Sequence, residues 1–305
     1  MSMGRAVLRR DVDLAPLTTY KLGGTAHWYA EVRDIEELKD VLADRANEPC
    51  LVLGRGSNIV FSDAGYDGLV VRLVGSFMEA SVESGTVTAG GGLALPKLAR
   101  FAAAAGRGGL EFFVGIPGSV GGAVRMNAGG HGSDTAAVLR VATILPAGMS
   151  TPVALSSYEL DMTYRSSNLG DGDIVLDAVF ASYERDPTEA EAEIRAITRW
   201  RKEHQPGGTL NAGSVFKNPP GDAAGRIIDS VGLKGYRRGA VSVSEMHANF
   251  FVAHEGATAQ DVWDLVWAVR ARVGRETGIW LAPEIRFAGA FAHCDSQDAG
   301  PGEAA

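Results

Sequence analysis

Apolar side chains first recur at helical spacing at Ile35, Leu38, Val41 and Leu42, directly behind Asp34, and the stripe stops at Asn47 and Pro49. Asp34 followed three positions later by Glu37 has the form of a capping box, so this spacing predicts a helix. The apolar run 50–53 enters the turn Gly54-Arg55-Gly56-Ser57-Asn58, and 69–73 is a second apolar run; with the helix they predict a β-α-β start. Apolar and polar residues alternate over 82–88, as in a half-buried strand, and 93–105 is an Ala-rich helix closed by Gly106. Residues 112–130 keep neither period over most of their length and are expected to form a ligand-facing loop. Strand-like runs follow at 138–145 and 174–182. Asp186 and Pro187 then open an amphipathic helix with Ile194, Ile197 and Trp200 inward.

Periodicity fails over 204–214, which places a domain boundary between about Tyr183 and Gly207. Beyond it, Asp222 is the expected cap of a short helix carrying Ile227, Ile228 and Val231 and ending at Gly232. Residues 249–253 read as a strand. Thr258 and Asp261 open a helix with Val262, Leu265, Val266, Val269 and Val273 on one face. The sequence turns small and polar after Phe291, where disorder is expected.

At 46% hydrophobic and 22% charged residues the chain has the material for a packed core, and 305 residues suggest about two domains. A net charge of −8 argues against nucleic-acid and anionic-membrane binding. No secretory signal or 18-residue apolar run occurs, so a soluble, cytoplasmic protein with Cys50 and Cys294 reduced is expected. Glycine changes the picture most: 39 residues, 14 of them between positions 85 and 132. Such a cluster suits chain that turns at positive φ or lets a ligand touch backbone.

The turn 54–58 lacks the third glycine of a dinucleotide fingerprint, Ile59 standing in its place, and no helix follows. It reads either as a plain turn or as an anion nest of backbone N–H groups with Ser57 and Asn58. The second turn, 115–123, holds four glycines in nine residues, bare enough for a flat ring or a diphosphate. A G-x-S-x-G elbow is ruled out by Pro117, and the histidines at 27, 131, 204, 247, 254 and 293 show no metal-ligand spacing. Arg165 after Tyr164, the group Ser214, Lys217 and Asn218 behind Gly213, and Glu284 amid apolar neighbours remain as polar signals, each also readable as an ordinary surface or turn residue. Composition and spacing lead to a two-domain α/β protein with a phosphate-bearing cofactor.

Taken in order, TTYKLGG (18–24), LGRGSNIVFSD (53–63), GIPGSVGGAVRMNAGG (115–130), YRSS (164–167), AGSVFKNP (212–219), AGRIIDSVGLKG (224–235), HANFFV (247–252) and PEIRFAG (283–289) resemble the UDP-N-acetylenolpyruvoylglucosamine reductase (UDP-N-acetylmuramate dehydrogenase) family of peptidoglycan precursor synthesis. The resemblance spans about 17–289. It implies an α+β chain: a two-part FAD-binding module of the flavin-oxidase (PCMH-like) type over 1–190, a smaller α+β UDP-sugar-binding domain over 191–290, and a disordered tail over 291–305. FAD would be held non-covalently and no metal is implied. NADPH would reduce the flavin and leave, and UDP-N-acetylglucosamine enolpyruvate would take its place in a ping-pong cycle. A monomer is expected.

By motif match, Gly54, Gly56, Ser57 and Asn58 would wrap the FAD pyrophosphate, and Gly118, Ser119, Gly122 and Ala123 would lie along the flavin and its phosphates. Arg165 would hold the substrate carboxylate, Glu284 would act as the paired acid, and Ser214 would protonate carbon. Asn218, and Lys217 with it, would meet the substrate diphosphate or uridine region, Lys217 alternatively easing the ionisation of Ser214. Only 48 residues separate Arg165 from Ser214, which marks the compact type without an extra substrate-clamping loop. Two rivals share these residues in part: a flavin oxidase with His131 as a covalent attachment point, and a non-catalytic binder of flavin or UDP-sugar.

Overall fold

Strand Ile174–Ala181 lies at the centre of a five-stranded antiparallel sheet ordered Val153–Ser156, Leu139–Leu145, Ile174–Ala181, Thr86–Gly90 and Ala80–Glu83. A strand covered on both faces reads as an unbroken apolar run. Its pairing slips at Leu176, because Thr143 pairs with Asp177 but Ile144 with Val175. This β-bulge reverses the alternation of faces. Val175, Ala178 and Phe180 thereby enter one core, while Ile174 and Leu176 feed another.

This computed structural model describes residues 6–292, which fall into two units. The first comprises 6–10, 28–55 and 68–201; the second comprises 11–27, 56–67 and 202–292. The later crossing, after Arg201, lies inside the expected boundary region. The linear division at 190/191 is not followed, because 11–27 and 56–67 join the later residues. Parallel pairing recruits the second of these segments: Ile59–Phe61 lies beside Arg286–Ala288. The first is tied by Tyr20, whose buried hydroxyl donates to the Phe251 carbonyl at 3.0 Å. Residues 293–305, most of the expected tail, lie outside the described residues, as does Cys294.

In the first unit, helix Ile35–Asp44 starts at Asp34, whose carboxylate accepts from the N–H groups of Glu36 and Glu37. The capping box does not close, however, because Glu37 accepts from the Arg33 N–H at 2.8 Å instead. The helix follows strand Thr25–Val32 and leads to Cys50–Val52, which pairs in parallel with Tyr66–Leu73, giving the expected β-α-β order. The Cys50 thiol packs against this core, and burial pushes its pKa up to about 11. Only the thiolate is nucleophilic. Peptide mapping after a thiol reagent at pH 8 should therefore find Cys50 unmodified in native protein and labelled after denaturation.

The alternating run 82–88 is a hairpin and not one strand. It bends at Ser84 and Gly85, both at positive φ (45° and 85°), the backbone that a two-residue hairpin turn requires. The aperiodic stretch 112–130 also contains a helix, Val120–Met126, hidden in sequence by its glycines at 121 and 122. Helix Pro187–His204 buries Ala190, Ile194 and Ile197, but Trp200 is 45% exposed. The buried stripe turns past it, and its ring meets His131 edge-on at 5.2 Å.

In the second unit the Thr258–Asp261 capping box is complete and opens helix Ala259–Thr277, which Gly278 ends at φ 75°. Val262, Leu265, Val266, Val269 and Val273 pack with Phe216 and Phe251, each buried apolar side chain contributing about 2 kcal/mol. Helix Ala224–Ser230 is not capped by Asp222, which pairs with Arg226. The Asn218 side-chain oxygen accepts from the Ala224 N–H instead, at 2.9 Å. No helix among the described residues is long and apolar enough to cross a membrane.

Candidate active site

The first residue of the turn 54–58 meets the second glycine turn inside the first unit. A Cβ on Gly54 would lie 2.3 Å from the Ser119 hydroxyl, so the missing side chain is what lets 54 and 119 touch. Ser119 is buried, and its hydroxyl accepts from the Gly122 N–H at 3.4 Å at the start of helix Val120–Met126. Gly121 donates to the Gly91 carbonyl at 2.8 Å, and a Cβ on Gly91 would strike the Val175 carbonyl at 2.0 Å. These glycines serve the packing of backbone on backbone. Gly122 differs: it is exposed, and an added Cβ would meet only the Ser119 hydroxyl, at 3.5 Å. Gly118 would place a Cβ 3.3 Å from Leu95, and the Ala123 methyl is buried in the core. The stretch from 118 to 122 thus leaves main chain uncovered at Gly122, beside Ser119, where a flat group can lie against backbone.

Arg165 stands at the tip of a short hairpin in the same unit. Thr163 and Ser166 exchange both backbone hydrogen bonds, each 3.1 Å, and Arg165 takes a left-handed φ of 56°. That conformation costs a non-glycine residue on the order of 1 kcal/mol and needs surrounding support. The support comes from residues 125–129. Arg165 donates from Nη2 to the Gly129 carbonyl at 2.8 Å, Ser167 from its hydroxyl to the Arg125 carbonyl at 2.7 Å, and Asn127 from Nδ2 to the Thr163 carbonyl at 2.9 Å. Asn127 is buried and left-handed itself, and it also accepts from the Ala136 N–H. Sequence reasoning gave it no role, although an Asn between a helix and a glycine pair is a known left-handed signal.

The segments that carry Ser214 and Glu284, 70 positions apart in sequence, pair in the second unit. The segment 214–216 lies between two others: Ser214 bridges Phe250, and Phe216 bridges Pro283. The Val215 carbonyl accepts from the Glu284 N–H at 2.8 Å, and the Lys217 N–H donates to the Ala282 carbonyl at 2.9 Å. Gly213, at φ 77°, turns the chain into Ser214 and donates its N–H to the Asn211 side chain.

The buried Asn249 grips Phe216, two residues after Ser214, at both backbone polar groups, accepting from its N–H at 2.9 Å and donating to its carbonyl at 2.8 Å. This too escaped sequence reasoning, and an Asn inside the apolar run 248–253 was the available sign. His247 accepts from the Asn249 N–H through Nδ1, and burial, with Lys234 nearby, holds its pKa below the usual range.

Gly56, Ser57 and Asn58 belong to this unit as well. Gly56 has φ 61°, a Cβ there would lie 2.4 Å from the Leu17 carbonyl, and its own carbonyl accepts from Thr19. Its lack of a side chain therefore serves the segment 17–19. The Asn58 carbonyl accepts from the Arg286 N–H, and its amide donates to the Glu284 carbonyl, both at 3.0 Å. Arg165 belongs to the first unit, and Ser214, Glu284, Lys217 and Asn218 to the second. His131 is largely exposed, against Gly115 and Trp200, and the partial covering of its ring there, with Arg201, lowers its pKa.

Residues 205–288 match the family described as UDP-N-acetylenolpyruvoylglucosamine reductase, C-terminal domain, and residues 26–151 match the FAD binding domain. UDP-N-acetylenolpyruvoylglucosamine reductase 2 of Symbiobacterium thermophilum is 45% identical over 92% of this chain and 92% of its own. The reductase of Rubrobacter xylanophilus is 42% identical over 92% of this chain and 94% of its own. The crystal structure of the Thermus caldophilus reductase superposes with a TM-score of 0.80 at 36% identity, covering 93% of this chain and 99% of that one. With these matches over more than nine-tenths of its length, the chain belongs to the UDP-N-acetylenolpyruvoylglucosamine reductase family.

Proposed function

We propose that the protein reduces UDP-N-acetylglucosamine enolpyruvate to UDP-N-acetylmuramate with NADPH and FAD, in the cytoplasm, as a step of peptidoglycan precursor synthesis. The observation that supports this most directly is the juxtaposition of Ser214 and Glu284 on neighbouring segments, the Val215 carbonyl accepting from the Glu284 N–H. An oxidase or a passive binder has no need of a hydroxyl-bearing segment paired with a carboxyl-bearing one.

FAD, when bound, supplies the hydride that NADPH delivers and the terminal alkene carbon accepts. Gly54, Gly56, Ser57 and Asn58 are assigned to its pyrophosphate, and Gly118, Ser119, Gly122 and the main chain of Ala123 to its flavin side. Hydride addition leaves the neighbouring carbon electron-rich, with charge spread onto the substrate carboxylate. Arg165 meets that charge with a permanently protonated, forked guanidinium, aimed by Gly129 and by the left-handed turn. The Ser214 hydroxyl gives its proton to the electron-rich carbon. Glu284, the paired acid, orients the substrate or holds a proton beside it. Lys217 and Asn218 are assigned to the diphosphate, and residues 191–290 to the UDP-sugar.

The test is anaerobic. Protein reduced with NADPH should be reoxidised when the enolpyruvyl UDP-sugar is added, with bleaching and return of the flavin absorbance. A flavin that stays reduced would show the assignment to be wrong.

A further inference from the structure

The Glu284 peptide is held at both of its polar groups, and the two partners differ in kind. Its N–H donates to the Val215 backbone carbonyl, next to Ser214. Its C=O accepts from the Asn58 side-chain amide at 3.0 Å, a contact 226 positions long. The next residue, Arg286, donates its N–H to the Asn58 carbonyl and begins the parallel pairing with Ile59–Phe61. Asn58 therefore holds Glu284 with its side chain and Arg286 with its backbone. Pro283 on the other side has no N–H to offer. Where a regular ladder would use a backbone donor, a side chain does the work at this one position, and a side chain can be removed without altering the strand.

We infer that Asn58 is a positioning residue for Glu284, its amide setting the angle at which the carboxyl faces the substrate, beyond any contact of this turn with cofactor phosphate. The inference rests on the reading of Glu284 as an acid of the second half-reaction. A carboxyl displaced by even about 1 Å costs on the order of 10²-fold in rate.

The experiment uses the flavin-loaded protein and four chains: wild type, Asn58→Ala, Glu284→Gln and the double variant. Flavin content, thermal midpoint, flavin reduction by NADPH and flavin reoxidation by the enolpyruvyl UDP-sugar are measured separately. With every chain saturated with added FAD, Asn58→Ala should slow reoxidation on the order of 10²-fold more than reduction. It should also move the pH profile of reoxidation and add nothing further when Glu284 is already Gln. Equal slowing of both half-reactions in the FAD-saturated protein, or additive effects in the double variant, would each overturn the inference. If Glu284→Gln alone leaves reoxidation unchanged, the Glu284 reading fails instead. Asn58→Asp keeps the volume and replaces the donor with an acceptor, so the same comparison holds if the alanine variant does not fold.

Discussion

Ser214→Ala is expected to leave flavin reduction by NADPH near the wild-type rate and to slow flavin reoxidation by the enolpyruvyl UDP-sugar by about 10²–10⁴-fold, the usual contribution of a positioned proton donor. The substitution keeps the Cβ and every backbone contact of the segment: the Phe250 bridge, the Val215 bond to Asn249 and the Val215 bond to Glu284. Its effect should therefore be chemical and not structural. Stopped-flow absorbance of each half-reaction separates the two steps. If both slow equally, Ser214 acts in holding the site and is not the proton donor. A serine hydroxyl is a weak acid, so the role is plausible only because the carbon it protonates is strongly basic once hydride has been added. Asn249 acts upstream of this chemistry, since a buried Phe216 peptide deprived of its amide partner would cost about 1–3 kcal/mol and loosen the segment that carries Ser214.

Gly122→Val should yield folded protein without flavin. An added Cβ at this position meets only the Ser119 hydroxyl, at ordinary van der Waals distance, and valine is no worse than glycine in a helix interior. The apoprotein should keep its circular dichroism and its thermal midpoint. What changes is the bare main chain proposed as the cofactor's seat, and the expected readout is a colourless protein, inactive for want of flavin. A yellow variant with one flavin per chain would remove Gly122 from the cofactor surface. The same substitution at Gly54 tests nothing about a cofactor, because its Cβ would collide with Ser119.

Elements ruled by local chemistry could be read from sequence. Asp34 and Thr258 start helices where their spacing says they should, Gly106 stands past the end of Leu95–Ala104 at positive φ, and the apolar stripe of Ala259–Thr277 faces its core. Failures came where something distant decides the outcome. The Val120–Met126 helix carries two glycines that its propensity alone would not place there, yet Gly121 needs its bareness to reach Gly91. Helix Ala224–Ser230 takes its capping oxygen from Asn218, six positions before Ala224, and not from the adjacent Asp222. The second unit gathers 11–27 and 56–67 through bonds such as Tyr20 to Phe251, which no window of local periodicity contains. Of the candidate residues, the motifs named the side chains. Their supports, Asn127 and Asn249, carried a local sign each, but the backbone groups they tie lie 33 to 36 positions away and cannot be read from either site alone.

The parallel pairing of Ile59–Phe61 with Arg286–Ala288 also sets a clock. During synthesis at ~5–20 residues per second, Asn58 emerges tens of seconds before Glu284 is made. The loop between them adds little to the equilibrium cost, since doubling a loop adds only about 0.6 kcal/mol. The delay is kinetic: until the last strand arrives, the Ile59–Phe61 edge waits unpaired, exposed to wrong partners, with Val60 and Phe61 among the side chains left uncovered. Maturation of the second unit is thus a late event, and its misfolding hazard is concentrated in one short, early-made strand.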